Sequence, residues 1–241
     1  MQNGKCKIIA HRGASGLTEF DNSIESFRKA VDLGADMIEL DVRRTKDREF
    51  VTYHDAEIEG QAISGLRYEE LLDMTEERGF KVPTLEDVIL ISKGKIALDI
   101  ELKEEGYEKK VVEMVRSYLD YDLFVMKSFF DSSVKKVKDF DDDIEAGLLV
   151  GLDDPSSKIK TRISELFPKR RLTRCRADFV APNHRLLRFF YLKRMWRSGF
   201  DVFVWTVNEV ELMKELMNKG VDALITDRPD LALEIRDEVS F

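Results

Sequence analysis

Two hydrophobic patterns alternate along the whole chain. Short continuous apolar runs are typical of strands buried on both faces of a parallel sheet, whereas apolar residues three or four positions apart indicate one face of an α-helix. Ile24, Phe27 and Val31 show the helical spacing soon after the first apolar run. Strands are predicted at residues 6–10, 36–42, 50–54, 95–102, 123–127, 144–150, 178–181, 201–207 and 221–226.

Residue types at the ends of these segments predict where helices begin. Asn22, Thr84 and Asn208 each precede an acidic residue by three positions, which is the spacing of a capping box. Helices are therefore expected to start at these three residues. Further helices are predicted over residues 107–119 and 156–167. Two more are predicted to begin at Asp131 and at Pro229, and another is predicted to end at Ser198.

The region after residue 167 carries two more expectations. The basic stretch 168–176 is predicted to be the most mobile loop of the chain. The aromatic residues further on are expected to lie in the helix core rather than in an interface, because barrel helices bury one stripe. These residues are Phe189, Phe190, Tyr191 and Trp196.

Eight successive β/α units in 241 residues predict an α/β fold, a closed parallel TIM-type (β/α)8 barrel. The residues from Phe50 to Pro83 fall outside these units and form a short insertion after the second barrel strand. A doubly wound open sheet is the alternative, but it usually has fewer strands, and no glycine-rich phosphate loop follows the first strand. No linker rich in Pro, Gly or Ser interrupts the chain, so residues 1–241 are predicted to form one domain.

Composition narrows the class of protein. Hydrophobic residues make up 43% of the chain, which is enough for a sizeable core, and no apolar run approaches the roughly 18 residues of a membrane span. A net charge of −8 argues against a general nucleic-acid binder. The chain has two cysteines, Cys6 and Cys175, which lie far apart, and its N-terminus lacks the apolar stretch of a secretory signal. Both observations favour a cytoplasmic protein. The sequence leaves open whether it is a monomer or a homo-oligomer.

The charge is unevenly distributed. Residues 158–197 contain thirteen Lys and Arg against Glu165 and Asp178, a net +11, so the remainder of the chain carries −19. One interpretation is solvated helix faces and a basic loop. The other is a surface that attracts anionic lipid head groups of a membrane, or an acidic patch on a partner subunit.

The active site of such a barrel lies at the carboxyl ends of its strands. Glu39 and Asp41 stand two residues apart and therefore face the same side of the second barrel strand. Glu101 and Lys103 share a side for the same reason, at the end of the third barrel strand, residues 95–102. Three carboxylates that converge on one mouth repel each other unless a positive charge lies among them. One divalent cation, Mg²⁺, Ca²⁺ or Mn²⁺, suits this all-oxygen ligation. The alternative is that the acids pair with Arg12 and Lys103 without a metal.

Two of the three histidines, His11 and His54, stand at strand ends beside these acids. Nearby carboxylates favour the imidazolium form, so one histidine can be protonated near neutral pH while the other is not. This is the arrangement that a general acid and a general base require. His184 stands at a helix start and is interpreted as an ordinary surface or capping residue.

The charges of this mouth suggest a substrate class. A dication with Glu39, Asp41 and Glu101 leaves about −1, and Arg12 and Lys103 add +2, so the site suits one anionic group such as a phosphodiester. A metal with an acid and a base describes hydrolysis of a P–O bond. A metal-assisted carbonyl reaction on a carboxylate substrate would use similar residues.

A series of ordered motifs also runs through nearly the whole chain. They comprise residues 10–16 (AHRGASG), 21–23 with Phe27 and Ala30, 34–42 (GADMIELDV), 51–55 (VTYHD), 82–88 (VPTLEDV), 99–103 (DIELK), 128–129, 204–208 (VWTVN) and 221–229 (VDALITDRP). Together these motifs resemble the glycerophosphodiester phosphodiesterase family, whose fold is a TIM barrel. The resemblance implies metal-dependent hydrolysis of small glycerophosphodiesters to glycerol 3-phosphate and an alcohol such as choline or ethanolamine.

The resemblance also implies a role for each matching position. His11 and His54 match the acid–base pair of the family, and Glu39, Asp41 and Glu101 match its ligands of one divalent cation. Arg12 and Lys103 match its phosphate-binding positions. Phe129 and Trp205 match positions near the glycerol or alcohol end of the substrate.

Two segments depart from the family pattern. Residues 18–23 (TEFDNS) replace the usual Pro-Glu-Asn-Thr with one extra residue, so either Glu19 or Asp21 stands for the glutamate. The stretch between Asp55 and Pro83 is shorter than usual, which bears on substrate choice more than on chemistry. A lysophospholipase D that acts on lipid phosphodiesters is therefore the alternative enzyme, and a non-catalytic binding protein that keeps the barrel is the alternative from another class.

Overall fold

A computed structural model describes residues 5–152 and 158–239. Its strands are β1 (Lys7–Ala10), β2 (Met37–Arg44), β3 (Phe50–Thr52), β4 (Glu57–Ile58), β5 (Gln61–Ala62), β6 (Ala97–Leu102), β7 (Phe124–Ser128), β8 (Ala146–Val150), β9 (Phe179–Pro182), β10 (Asp201–Val204) and β11 (Ala223–Thr226). Eight of them are parallel in the order β1-β2-β6-β7-β8-β9-β10-β11, and β11 pairs with β1 to close the barrel. The predicted barrel is confirmed, and the open sheet is wrong.

The α-helices surround this barrel, and one face of most of them packs against the outer side of the strands. Among the described residues, no helix is long and apolar enough to cross a membrane. Cys6 and Cys175 are both free thiols. The helices are α1 (Ile24–Leu33), α2 (Tyr68–Glu77), α3 (Leu85–Ser92), α4 (Glu108–Arg116), α5 (Asp131–Phe140), α6 (Lys158–Leu166), α7 (Lys169–Cys175), α8 (Tyr191–Trp196), α9 (Val210–Lys219) and α10 (Pro229–Val239).

The cap predicted at Thr84 is confirmed, but those at Asn22 and Asn208 are wrong. Ser23 caps α1, one residue later than predicted. Asn22 instead donates from Nδ2 to Asp41 Oδ2 at 2.9 Å, and Asn208 donates to a carboxylate at the end of β11. In both residues the amide oxygen, which a capping bond would use, instead accepts from the backbone N–H of Asp41 or Asp227, so both amides turn into the barrel mouth.

Residues 168–176 do not form the predicted mobile loop, because α7 occupies most of this stretch. Leu172 and Cys175 stand three residues apart on one face of the helix and are both buried. The Arg171 guanidinium binds the Asp131 carboxylate at the start of α5, with Nη2 2.6 Å from Oδ1. The many basic residues of the segment led to the loop prediction, although its buried residues are spaced as in a short amphipathic helix.

The prediction that four aromatic residues lie in the helix core is half right. Tyr191 is buried, and Trp196 packs against the core and donates from Nε1 to Asp222 Oδ2 at 3.0 Å. Phe189 and Phe190 are 68% and 78% exposed, so they do not belong to the core. Both adopt left-handed backbone conformations, and α8 begins only after them.

Alternation along each strand separates two cores. Ile38 and Leu40 of β2 point outward and pack against the surrounding helices. Met37 points inward to a layer that closes the lower part of the barrel, where the rings of Phe179 and Phe203 stack with centroids 4.3 Å apart. Above this layer, towards the carboxyl ends of the strands, the inward-facing residues of β2 and β6 are acidic.

The predicted insertion between β2 and α3 carries β3, the hairpin β4–β5 and α2. β3 runs antiparallel to β2 and extends the sheet at the barrel mouth. Arg43 of β2 donates from Nη2 and Nε to the His54 carbonyl oxygen at 2.7 and 3.0 Å, which fixes the turn after β3. The insertion has a small core of its own, made of Val51, Ile58, Ile63, Leu66, Leu71 and Val82.

Candidate active site

Three acidic side chains converge inside the barrel at the carboxyl ends of β2 and β6. The parallel register places Glu39 beside Asp99, and Asp41 beside Glu101. Glu39, Asp41 and Glu101 are all buried, and their carboxylate oxygens lie within 4.8 Å of one another. The structure therefore brings together the three residues expected to hold a metal.

A buried lysine that we did not predict lies among these acids. Lys127 Nζ is 2.6 Å from Asp99 Oδ2 and 3.3 Å from Glu39 Oε1. Burial alone would lower the pKa of Lys127, but the charges of Asp99 and Glu39 outweigh it and raise that pKa. Burial raises the pKa of Asp99 to about 6 although Lys127 opposes it, so at neutral pH the pair is ionised and contributes no net charge.

Lys103 and Arg12 supply the other positive charges. Lys103 Nζ lies 2.8 Å from Glu101 Oε1 and 3.2 Å from Asp41 Oδ1, while Arg12 Nε lies 3.2 Å from Asp41 Oδ2. Burial would raise the pKa of Asp41, but Lys103 and Arg12 hold it well below its usual range. For Glu101 burial prevails over Lys103 and raises the pKa to about 6. Asp41 and Glu101 thus make the ion pairs with Arg12 and Lys103 that the alternative interpretation describes.

A tight turn after β1 aims Arg12 into the site. Arg12 has a left-handed φ of 53°, and Gly13 follows with a φ of 80°. A Cβ on Gly13 would lie 2.5 Å from the backbone of α1, so only glycine fits there. In this turn the backbone N–H of Arg12 donates to Glu39 Oε2 at 2.9 Å. The side-chain Nη1 of Arg12 donates to Asp21 Oδ2 at 2.8 Å. Of the two candidates for the family glutamate, Asp21 is the one that pairs with Arg12.

His11 is held by the last strand of the barrel. Its Nδ1 lies 2.6 Å from Asp227 Oδ1, and because a carboxylate only accepts, Nδ1 carries the proton. Ser15 and Asn208 also donate to this carboxylate, at 3.0 and 2.5 Å. Burial alone would lower the pKa of His11, but the charge of Glu39 and the hydrogen bond to Asp227 outweigh it and raise that pKa. The imidazolium form is therefore favoured.

The surroundings of His54 shift its pKa in the opposite direction. Its Nδ1 lies 2.7 Å from Asp55 Oδ1, which leaves Nε2 to face the cavity. Burial and the nearby ammonium of Lys103 lower the pKa of His54, and they outweigh the charge of Asp41. Near neutral pH, His54 is therefore mostly the neutral imidazole.

Eight of the nine predicted site residues line one cavity of about 480 Å³, and the ninth, Asp41, is buried behind them. Phe129 and Trp205 form one wall, with ring centroids 5.7 Å apart at an angle of 84°. Trp205 Nε1 donates to the Ala181 carbonyl oxygen at 2.7 Å, which fixes the orientation of its ring. His184 begins a short 3₁₀ helix, in agreement with the predicted helix start, and also lines this cavity.

A second, more open cavity of about 820 Å³ adjoins the first. His11, Arg12 and His54 line both cavities and so stand between them. The stacked rings of Phe20 and Phe80 lie in the wall of the second cavity. The structure therefore leaves open space on both sides of these three side chains.

The carboxylate cluster fits a divalent cation. Oxygens bound to one Mg²⁺ or Ca²⁺ at about 2.0–2.6 Å are at most about 5 Å apart, and the oxygens of Glu39, Asp41 and Glu101 meet this condition. The donor set is all oxygen, which suits hard cations rather than Zn²⁺. Lys103 lies against two of these acids, so ammonium and cation would share the same negative charge.

Several site residues escaped the sequence prediction. A lysine within an apolar strand was the available signal for Lys127, because an unpaired ammonium is not stable there. Asp227 was visible as a polar residue at the end of the eighth barrel strand, but its bond to His11 joins residues 216 positions apart. The side-chain contacts of Asn22 and Asn208 had no local signal beyond the capping pattern, which pointed elsewhere.

The (β/α)8 barrel with paired histidines beside a carboxylate cluster at its mouth defines the protein as a barrel enzyme. Residues 11–231 match the model of the glycerophosphoryl diester phosphodiesterase family. The chain belongs to this family, so the resemblance inferred from its motifs is confirmed.

Relatives agree with this membership over nearly the whole chain. YhdW of Bacillus subtilis (strain 168) is 30% identical and aligns with 94% of this chain and 96% of its own length. A lysophospholipase D of Rattus norvegicus is 26% identical over 96% of this chain and 86% of its own. The crystal structure of a glycerophosphodiester phosphodiesterase from Parabacteroides distasonis superposes with a TM-score of 0.82 at 28% identity, covering 98% of this chain and 99% of that one.

Proposed function

We propose that this protein hydrolyses glycerophosphodiesters to glycerol 3-phosphate and an alcohol, with one divalent cation. The observation that carries the proposal is the single cavity lined by both histidines, two of the three metal-ligand candidates and both phosphate-binding candidates. Family membership and the similarity to a glycerophosphodiester phosphodiesterase of Parabacteroides distasonis support it. A soluble diester is the substrate class, and the protein is expected to act without nucleic acid.

The charges at the mouth support an anionic substrate with a cation. Glu39, Asp41 and Glu101 would hold Mg²⁺, Ca²⁺ or Mn²⁺, which when bound polarises a phosphoryl oxygen and offsets its growing charge. Arg12 offers a planar fork to two phosphate oxygens, and Lys103 offers a point charge. Because Lys127 and Asp99 neutralise each other, the charge count predicted from the sequence still leaves room for one monoanion.

The two histidines suit opposite proton transfers. His54, with its lowered pKa, takes the proton of the nucleophile, which is water or a neighbouring hydroxyl of the glycerol. The P–O bond to the alcohol then breaks, and His11, with its raised pKa and its bond to Asp227, gives its proton to the leaving oxygen. If the nucleophile is the glycerol hydroxyl, the first product is a cyclic phosphate, and water then opens it to glycerol 3-phosphate. Phe129 and Trp205 provide an apolar wall for the glycerol or alcohol end.

The test is the release of glycerol 3-phosphate from a panel of glycerophosphodiesters, with each of Mg²⁺, Ca²⁺ and Mn²⁺ and with EDTA. We expect turnover that EDTA abolishes and one of these metals restores. The variant His11→Ala, purified in the same way, should be roughly 10²–10⁴-fold slower, which excludes a contaminating enzyme. A folded protein that binds the diester without turnover would contradict the proposal and favour a binding role.

A lysophospholipid is the second candidate substrate, because a groove of about 380 Å³ continues from the active-site cavity. Both share Gly151, Asn183 and Arg185 in their walls, and Leu166 and Leu186 give the groove an apolar side. The lysophospholipase D of Rattus norvegicus is consistent with this candidate. Comparing kcat/KM for lysophosphatidylcholine and glycerophosphocholine separates the two, since an acyl chain helps only if the groove binds it.

A further inference from the structure

Five exposed apolar side chains form a raised surface beside the barrel mouth. Three of them lie along or just after α6 at intervals of four residues, and therefore on one face. The other two are adjacent in the loop between β9 and α8. We call this set the apolar ridge, and its members, which are 57–78% exposed, are Ile159, Ile163, Phe167, Phe189 and Phe190.

Contacts through Arg194 join the segments that carry the two halves of the ridge. Arg194 of α8 donates from Nη2 to the Leu166 carbonyl oxygen of α6 at 2.7 Å, and its guanidinium carbon lies 4.3 Å from the Phe167 ring centroid. One groove is lined by residues of α6 and by Arg188 and Phe189 of the loop. The two halves of the ridge are therefore carried by neighbouring segments that are held together.

The backbone holds two of these rings out of the core. Phe189 and Phe190 have φ values of 52° and 58°, a region that bulky residues rarely adopt. Such conformations persist only where the surrounding structure imposes them, and they concentrate at functional segments. Exposure of two aromatic rings to water does not stabilise the protein, and the loop that holds them is strained. The arrangement therefore indicates that an apolar partner covers these rings.

The charge around the ridge identifies that partner. The ridge lies within residues 158–197, which carry +11 in a protein of net charge −8. A second copy of the chain is disfavoured, because a two-fold interface would oppose the same basic surface to itself. Part of this charge pairs with acids, but Lys158, Lys160, Arg188 and Lys193 are exposed and stand next to ridge residues in the chain or within three positions of them. Apolar side chains with such cations beside them match an anionic bilayer, where the side chains enter the acyl boundary and the cations meet the head groups.

The ridge is also fixed in position relative to the active site. The buried Glu165 of α6 accepts from the N–H groups of Gly151 and Leu152 at 3.0 and 2.8 Å, which ties the helix to the end of β8. The ridge thus stands on the same face of the barrel as the strand ends that carry the active site. A flat surface against the ridge would face the cavity entrance.

We propose that the apolar ridge and its cations dock the protein on an anionic lipid bilayer, with the cavity entrance turned to the head-group layer. This docking goes beyond the proposed hydrolysis and does not require it, because none of the ridge residues belongs to the set that binds the metal, the phosphate or the transferred protons. It assigns a function to residues 158–197 that the barrel fold alone does not need.

Sedimentation with vesicles tests the proposal. The wild-type protein should bind vesicles of phosphatidylcholine with phosphatidylglycerol, bind pure phosphatidylcholine vesicles far less, and dissociate as salt is raised. The double variant Ile163→Ser/Phe190→Ser should lower the partition coefficient by about tenfold or more, because two inserting side chains are lost. The control Leu90→Ser/Phe140→Ser removes two exposed apolar residues elsewhere and should bind like the wild type.

Three further readouts keep the outcome clear. Absence of wild-type binding to the anionic vesicles, or equal loss in both double variants, overturns the proposal. A ridge-dependent dimer in light scattering also overturns it, in favour of a second copy. Turnover of soluble glycerophosphocholine should be unchanged in the ridge variant. A protein that binds vesicles without any turnover would contradict the proposed hydrolysis and leave the docking standing.

Discussion

His11 and His54 share one cavity but have opposite electrostatic surroundings. The carboxylates of Glu39 and Asp227 favour the charged form of His11, whereas burial and the ammonium of Lys103 favour the neutral form of His54. A pair of titratable groups whose environments move their pKa values apart is suited to acid–base work. The direction of each shift therefore supports an assignment that the sequence left open.

A bell-shaped pH profile of kcat/KM follows from this assignment. Activity should appear as the pH rises through the pKa of His54, which lies below 6.5, and disappear as it rises through the pKa of His11, which lies above 6.5. Asp227→Asn removes a group that raises the pKa of His11, so the alkaline limb should move to lower pH. Asp55→Asn should move the acid limb lower instead. Profiles in which neither limb moves would contradict the assignment.

Glu101→Gln tests the cation site at a single residue. The amide keeps the shape of the side chain but removes one of three buried negative charges, so affinity for the divalent cation should fall at least about 100-fold. Glu105→Gln is the matched control, because Glu105 is exposed and lies outside the cluster. Calorimetric titration of the metal-free protein measures both. Equal metal affinity of the two variants would remove Glu101 from the ligand set.

At the scale of elements, Lys127 joins three neighbouring strands. Its ammonium on β7 contacts Asp99 of β6 and Glu39 of β2. A buried ion pair adds little net stability, but removal of one partner leaves an uncompensated charge. The lysine thus makes the acidic mouth compatible with a folded barrel.

Lys127→Met should lower the free energy of unfolding by about 3–5 kcal/mol, because it leaves the Asp99 carboxylate buried and unpaired. The double variant Lys127→Met/Asp99→Asn should recover most of this loss, since it removes the charge as well as its partner. Urea unfolding measures both. A single variant that costs less than about 1 kcal/mol, or a double variant as unstable as the single one, would contradict the role of the pair.

At the scale of the whole molecule, bound metal should stabilise the fold, because its ligands come from two strands that unfolding separates. At a metal concentration 100 times the Kd the gain is about 2.7 kcal/mol, or roughly 5–10 °C in Tm for a chain of this size. Calorimetric scans with Mg²⁺, Ca²⁺ or Mn²⁺ against EDTA measure it. Glu101→Gln should lose the shift. An EDTA-insensitive Tm in the wild type would argue against the site.

The barrel and most of its mouth could be predicted from the sequence, because both rest on local patterns. The apolar runs mark the strands, and the two-residue spacing of Glu39 and Asp41 places both on one side of β2. Lys127, Asp227 and the helix at 169–175 could not, since each depends on what packs against it from far along the chain. The one-domain extent and the site roles stay predictions.

The bond between His11 and Asp227 has a consequence for protein synthesis. His11 is made 216 residues before Asp227, and β1 finds one of its two neighbours only when β11 has formed. A nascent chain that already carries both histidines and all three acids therefore lacks the group that orients His11. Enzymatic activity should appear only after the final barrel strand has left the ribosome, however early the other seven have paired.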